Sequence, residues 1–179
     1  MNERSMNEKN KKIQGLRGKL TSKDTKTVIQ GLEQIKEQGE AELIPDLIQV
    51  LESTEIEKIH DKVLEILNTL KTQSAAEAVL DAFEQAQNAD TRNSVLASCW
   101  KNGLDYSKYF DTLIHIFIHN DFTTALEAFT VIENATQNIS DESLDNAVSK
   151  IKANLNKISE EKKPLMMELT HMLNNRKSE

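Results

Sequence analysis

An all-α fold, an array of stacked helix pairs closed by a final helix, is predicted by three features of this 179-residue chain. The first is punctuation. Only five glycines and two prolines interrupt long runs of Leu, Ala, Glu, Gln and Lys, all good helix formers. The second is a repeat carried in two independent registers. Ile48, Leu80, Ile114 and Val148 recur at steps of 32, 34 and 34, each followed three residues on by Leu51, Phe83, Phe117 or Ile151. Between them Leu32, Leu64, Leu96 and Leu126 recur at 32, 32 and 30, each followed by Ile35, Leu67, Cys99 or Phe129. The third is an aliphatic composition with 4% aromatics, which suits a thin core shared between neighbouring repeats.

In chain order, residues 1–23 form a basic segment with seven Lys or Arg against two Glu, expected to be mobile. Residues 24–175 form the repeat domain and 176–179 a tail. Four helix pairs are expected at 25–37 with 44–53, 55–71 with 75–87, 91–102 with 108–119 and 122–136 with 141–157, and a ninth helix at 162–175 closes the array. In "GEAELIPDLIQVLES", Gly39 is placed as a helix stop, because glycine tolerates the left-handed conformation. Pro45 falls in the first turn of the next helix, where its missing amide costs no helical bond. Leu47, Ile48 and Leu51 then make an inner stripe. Thr54 with Glu57 and Ser74 with Glu77 match capping boxes. Asp90, Asp121 and Ser140 stand where single N-caps stand.

The stretch "GEAELIPDLIQVLES" is similar to the second helix of a short HEAT-type repeat, and "NADTRNSVLASCWKNGLD" resembles that family's first helix. Asp90 and Arg92 occupy its acidic and basic positions, and Gly103 its small residue near the helix end. The resemblance covers about residues 24–157; the other units lack the Arg and much of the glycine pattern. It implies a right-handed alpha-alpha superhelix, a HEAT-like solenoid, in which the Asp and Arg link neighbouring repeats. The aromatic, Gly and Tyr signature of tetratricopeptide arrays is absent from the first helices.

The formal net charge is -7, and because the first 23 residues carry a surplus of five positive charges, the remainder is strongly acidic. Broad nucleic-acid binding needs cations along one face and is disfavoured. No run approaches the roughly 20 apolar residues that cross a bilayer, and the N-terminus lacks the apolar core of a signal peptide. A single cysteine, Cys99, makes no internal disulfide. The expectation is a cytoplasmic protein.

No phosphate loop, nucleophile elbow or cofactor signature occurs, so no catalytic, cofactor or metal residue is assigned and the chain is read as a non-enzyme. His115 and His119 share a helical side at a spacing able to hold a metal, but no third ligand is evident. Matched positions on the second helices give outward rows: Gln49, Asp81, His115 and Ser149 in one, Val50, Ala82, Ile116 and Lys150 in the next, and Glu52, Glu84, Ile118 and Lys152 in a third. "LIHIFIHN" breaks the pattern with Ile116 and Ile118, so that helix is apolar over more than one face.

Two readings follow: an apolar binding surface, or a central helix buried more deeply than its neighbours. On the first, the candidate surface is His115, Ile116, Ile118, His119, Tyr106 and Tyr109. It would take a protein or peptide with apolar anchors and basic flanks. The function expected is a non-enzymatic protein-binding or scaffolding module, and a self-associating structural subunit is the alternative. Because HEAT-like proteins include DNA glycosylases and bilin lyases, the resemblance also leaves an enzymatic reading open. The acidic body weakens the glycosylase version.

Overall fold

The computed structural model describes residues 3–38, 41–135 and 139–176. Among the described residues the fold is all-helical and strand-free, with ten α-helices. The chain divides into two compact units, Met1–Leu104 and Asp105–Glu179. No described helix is long and apolar enough to cross a membrane.

The first unit contains α1 (Glu3–Leu20), α2 (Thr25–Gln38), α3 (Ile44–Ser53), α4 (Glu57–Asn68), α5 (Ala75–Gln85) and α6 (Ala89–Asn102). Its closely packed successive pairs are α1 with α2, α3 with α4, and α5 with α6. Every second helix also packs on the next in its own row, α1 on α3 on α5 and α2 on α4 on α6. The result is a two-layer ladder of helices leaning on near neighbours.

The repeat is thus present, but the tight hairpins fall one helix earlier than expected. The reason lies at the head of the chain. α1 buries Ile13, Leu16 and Leu20 and supplies the partner that α2 was expected to find in α3. Gly31 makes this approach feasible, because a Cβ there would stand 2.9 Å from Lys19 Cβ. Rungs within a row carry matching ion pairs: Arg17 Nε to Asp46 at 3.0 Å, Lys36 to Glu65 at 2.5 Å and Lys62 to Glu33 at 3.1 Å, each 29 residues apart. Such part-exposed pairs contribute little stability each and mainly report register.

The second unit repeats the plan with α7 (Phe110–His119), α8 (Phe122–Ala135), α9 (Asp141–Asn154) and α10 (Lys163–Arg176). α7 pairs with α8 and α9 with α10, while α7 packs on α9 and α8 on α10 in the two rows.

The second-helix register is fully internal: Ile48, Leu80, Ile114 and Val148, and Leu51, Phe83, Phe117 and Ile151, are all buried. The first-helix register holds through Leu32, Leu96, Ile35, Leu67 and Cys99, leaves Leu64 only half-buried in α4, and slips in α8. There the inward face is Ala125, Ala128, Val131, Ile132 and Ala135, small residues that let α8 lie close against α7, and Leu126 is turned outward.

Helix ends follow the sequence only in part. Pro45 lies in the first turn of α3, and Gly103 ends α6 at φ 68°, the left-handed region. Asp121 accepts from the Thr124 amide at 2.9 Å and Ser140 from the Ser143 amide at 3.3 Å, as N-caps do. The two expected capping boxes do not form. Thr54 instead accepts from the Ile56 amide, which leaves Ile56 as the α4 N-cap, and Ser74 makes no side-chain cap. Asn88, two residues before the expected Asp90, caps α6 through the Asp90 and Thr91 amides. Asp24, unassigned in the sequence, caps α2 through the amides of Lys26 and Thr27. The stop placed at Gly39 lies outside the described residues.

Candidate functional site

The residues singled out in the sequence gather around α7 and separate into three environments. Ile116 is fully buried and Ile118 is 6% exposed, because α8 covers one side of α7 and α9 another. The second apolar face of α7 is therefore packed, and Ile116 and Ile118 are not displayed as surface. Tyr106 is buried as well, and Tyr109, in a 3-10 turn at Ser107–Tyr109, is half-buried. Only His115 and His119 are exposed. The ten residues of α7 span about 15 Å, so the tyrosines at its start and His119 at its end do not form one patch. Of the three rows read as outward, Gln49, Asp81, His115 and Ser149 are exposed at every position, and the third is exposed except at Ile118. The second is not outward, since Ala82 and Ile116 are buried and Val50 is half-buried.

His115 and His119 are brought together, with ring centroids 4.3 Å apart and planes tilted by 40°. His119 is held below the usual histidine value, by desolvation first and then by the field of His115, Lys162 and Lys157. It lines a cleft of about 390 Å³ between the α7–α8 and α9–α10 junctions, together with Asn120, Asp121, Asn154, Lys157 and Lys162.

Lys162 is a residue that sequence reasoning missed. It is 3% exposed, and its ammonium donates to the carbonyls of Ile118 at 2.7 Å and Asn120 at 2.6 Å. A cation placed on the orphan carbonyls that end α7 satisfies them and opposes the negative end of the helix dipole. Burial lowers its pKa, and the nearby Asp121 carboxylate works against that shift. In "SEEKKPL" nothing distinguishes Lys162 from Lys163; the neighbour pairs with Glu160 at the surface, and only the turn of the chain sends Lys162 inward.

The structure also adds a surface that the apolar register concealed. α8 exposes Phe122 (37%) and Leu126 (44%), with half-buried Phe129 completing a stripe at spacings of four and three. Asp121, Glu127 and Glu133 flank it, and α8 contains neither Lys nor Arg. A residue-by-residue helical wheel centred on Ala125 and Ala128 would have shown this stripe, had the repeat register not assigned Leu126 inward.

Arg92 places its guanidinium 4.7 Å from the Phe83 ring of the preceding helix, and the thiol of Cys99 is buried, donating to the Val95 carbonyl at 3.8 Å. No group of three or more His, Cys, Asp or Glu side chains able to hold a metal occurs among the described residues. No protein-family model matches the chain, and no curated protein matches it.

Proposed function

We propose that this protein is a non-enzymatic protein-binding or scaffolding module of the HEAT-like solenoid class, with α8 as its contact helix. The observation that carries the reading is the stripe of exposed Phe122 and Leu126 with half-buried Phe129, within an acidic border. An amphipathic helix laid along it would place apolar anchors on Phe122 and Leu126 and basic flanks against Asp121, Glu127 and Glu133. The guanidinium of Arg92 over Phe83 joins the two helices of the α5–α6 pair, so it contributes packing within a pair and not the linkage between repeats that the HEAT resemblance implies. Ile116 and Ile118 serve this function indirectly, by fixing α7 against α8 and α9.

The test is a Phe122→Glu/Leu126→Glu double variant, whose two exposed positions should leave stability within about 0.5 kcal/mol each. Affinity capture with wild type, followed by direct measurement on the captured partner, should show binding weakened at least about tenfold in the double variant, the loss expected when an anchor worth about 1.4 kcal/mol is removed. Equal binding by both proteins would refute the assignment. Sedimentation across protein concentration separates the alternative: a dimer that the double variant dissolves would make the stripe a self-association surface.

A further inference from the structure

We propose that His115 and His119 form a two-histidine site for a borderline divalent transition metal ion of the Zn(II), Ni(II) and Cu(II) class. The pair lies one helical turn apart on the exposed side of α7, and its rings stand 4.3 Å centre to centre. With metal–nitrogen bonds of about 2.0–2.1 Å, two nitrogens on one ion stand roughly 3 Å apart. Rings already this close reach that separation by rotating their exposed side chains, with no change in the packed face of α7. Burial of Leu113, Ile114, Ile116 and Phe117 holds the helix backbone that spaces them, so the chelate is largely preorganised.

Imidazole suits Zn, Ni and Cu, whereas Mg and Ca prefer oxygen donors. Cu(II) should bind tightest, followed by Ni(II) and Zn(II). No cluster of three metal-ligating side chains occurs among the described residues, so the remaining positions on the ion fall to water or to a donor from another molecule. The cationic field of Lys157 and Lys162 reaches His119 and opposes a bound cation. These features define an exchangeable site with open positions rather than a closed structural one. It is independent of the α8 stripe, since neither histidine belongs to that helix.

The experiment titrates the full metal-free chain at neutral pH with CuCl2, NiCl2 and ZnCl2, and with MgCl2 as a control, by calorimetry and, for copper, electron paramagnetic resonance. Wild type should take up one ion of each transition metal at this site and none of magnesium, with two imidazole nitrogens coupled to copper. His115→Gln and His119→Gln should each weaken binding roughly 100-fold, because loss of one arm removes the intramolecular second contact. The double variant His60→Gln/His171→Gln should bind as wild type does. Circular dichroism confirms that each variant keeps its helices, as expected for exposed side chains. The proposal is overturned if His115→Gln/His119→Gln binds like wild type, if magnesium competes equally, or if copper shows a single imidazole in the wild-type protein.

Discussion

At the scale of single residues, position in the ladder decides what a substitution does. Leu80 is buried in the middle of the first unit, so Leu80→Ala removes packing and leaves a cavity, a loss of about 2–5 kcal/mol. Gln49 sits on the exposed row, and Gln49→Ala should stay within about 0.5 kcal/mol. Urea unfolding of the two variants separates them, and equal losses would mean that the faces of α3 and α5 are misassigned. Lys162→Met keeps the length of the side chain but removes the donor to the Ile118 and Asn120 carbonyls. Leaving buried acceptors unsatisfied costs about 1–3 kcal/mol, which the same unfolding measurement reads. An unchanged midpoint would show that water reaches those carbonyls.

At the scale of an element, α1 offers the sharpest contrast. Its basic composition and the two glycines Gly15 and Gly18 predict a mobile lead-in, whereas the structure lays Ile13, Leu16 and Leu20 against the ladder and pairs Lys9 with Glu42 at 2.5 Å. Gly31→Ala distinguishes a docked α1 from a loose one by sign. In a free helix the change is stabilising by about 1 kcal/mol, because alanine is the better helix former. Against a docked α1, the new methyl meets Lys19 Cβ, an atom fixed to the backbone, and stability falls. We expect a fall, together with rigid amides from Ile13 to Leu20 in NMR relaxation. A rise in the unfolding midpoint with nanosecond motion in that stretch would support the mobile segment instead.

At the scale of the whole molecule, charge sets the response to acid. Asp24, Glu42, Glu65, Asp105 and Asp121 all lie below the usual carboxylate range, in each case first through hydrogen bonds that favour the ionised form. Their folded values are depressed, so the stability they contribute is complete above the unfolded value and is lost as pH falls through the folded one. The unfolding midpoint should therefore be lower at about pH 3 than at about pH 6, with the decline setting in near pH 4. Midpoints measured in urea across that range check the sign, and a midpoint that rose on acidification would contradict it. Asp121→Asn should flatten part of the decline, since it removes one of the groups that titrates.

Outside α1, which the sequence reads as a mobile segment, helix identity and approximate extent were legible because they rest on local chemistry. The spacing of Ile48, Leu80, Ile114 and Val148 required a buried stripe, and Pro45, Asp121 and Ser140 marked ends through their own backbone and side-chain preferences. Which helix leans on which was not legible, because a period near 32 to 34 is the same whether α2 pairs with α3 or with α1. Nor did periodicity say that Ile116 and Ile118 would be covered, since an apolar second face reads alike whether a neighbour or a partner meets it. Only tertiary packing resolved those choices: α9 closed over α7, alanines drew α8 close enough to turn Leu126 outward, and the turn before α10 carried Lys162 to the end of α7. A sequence determines the faces that each helix has to offer, and the competition among helices to cover one another determines which of those faces remains exposed.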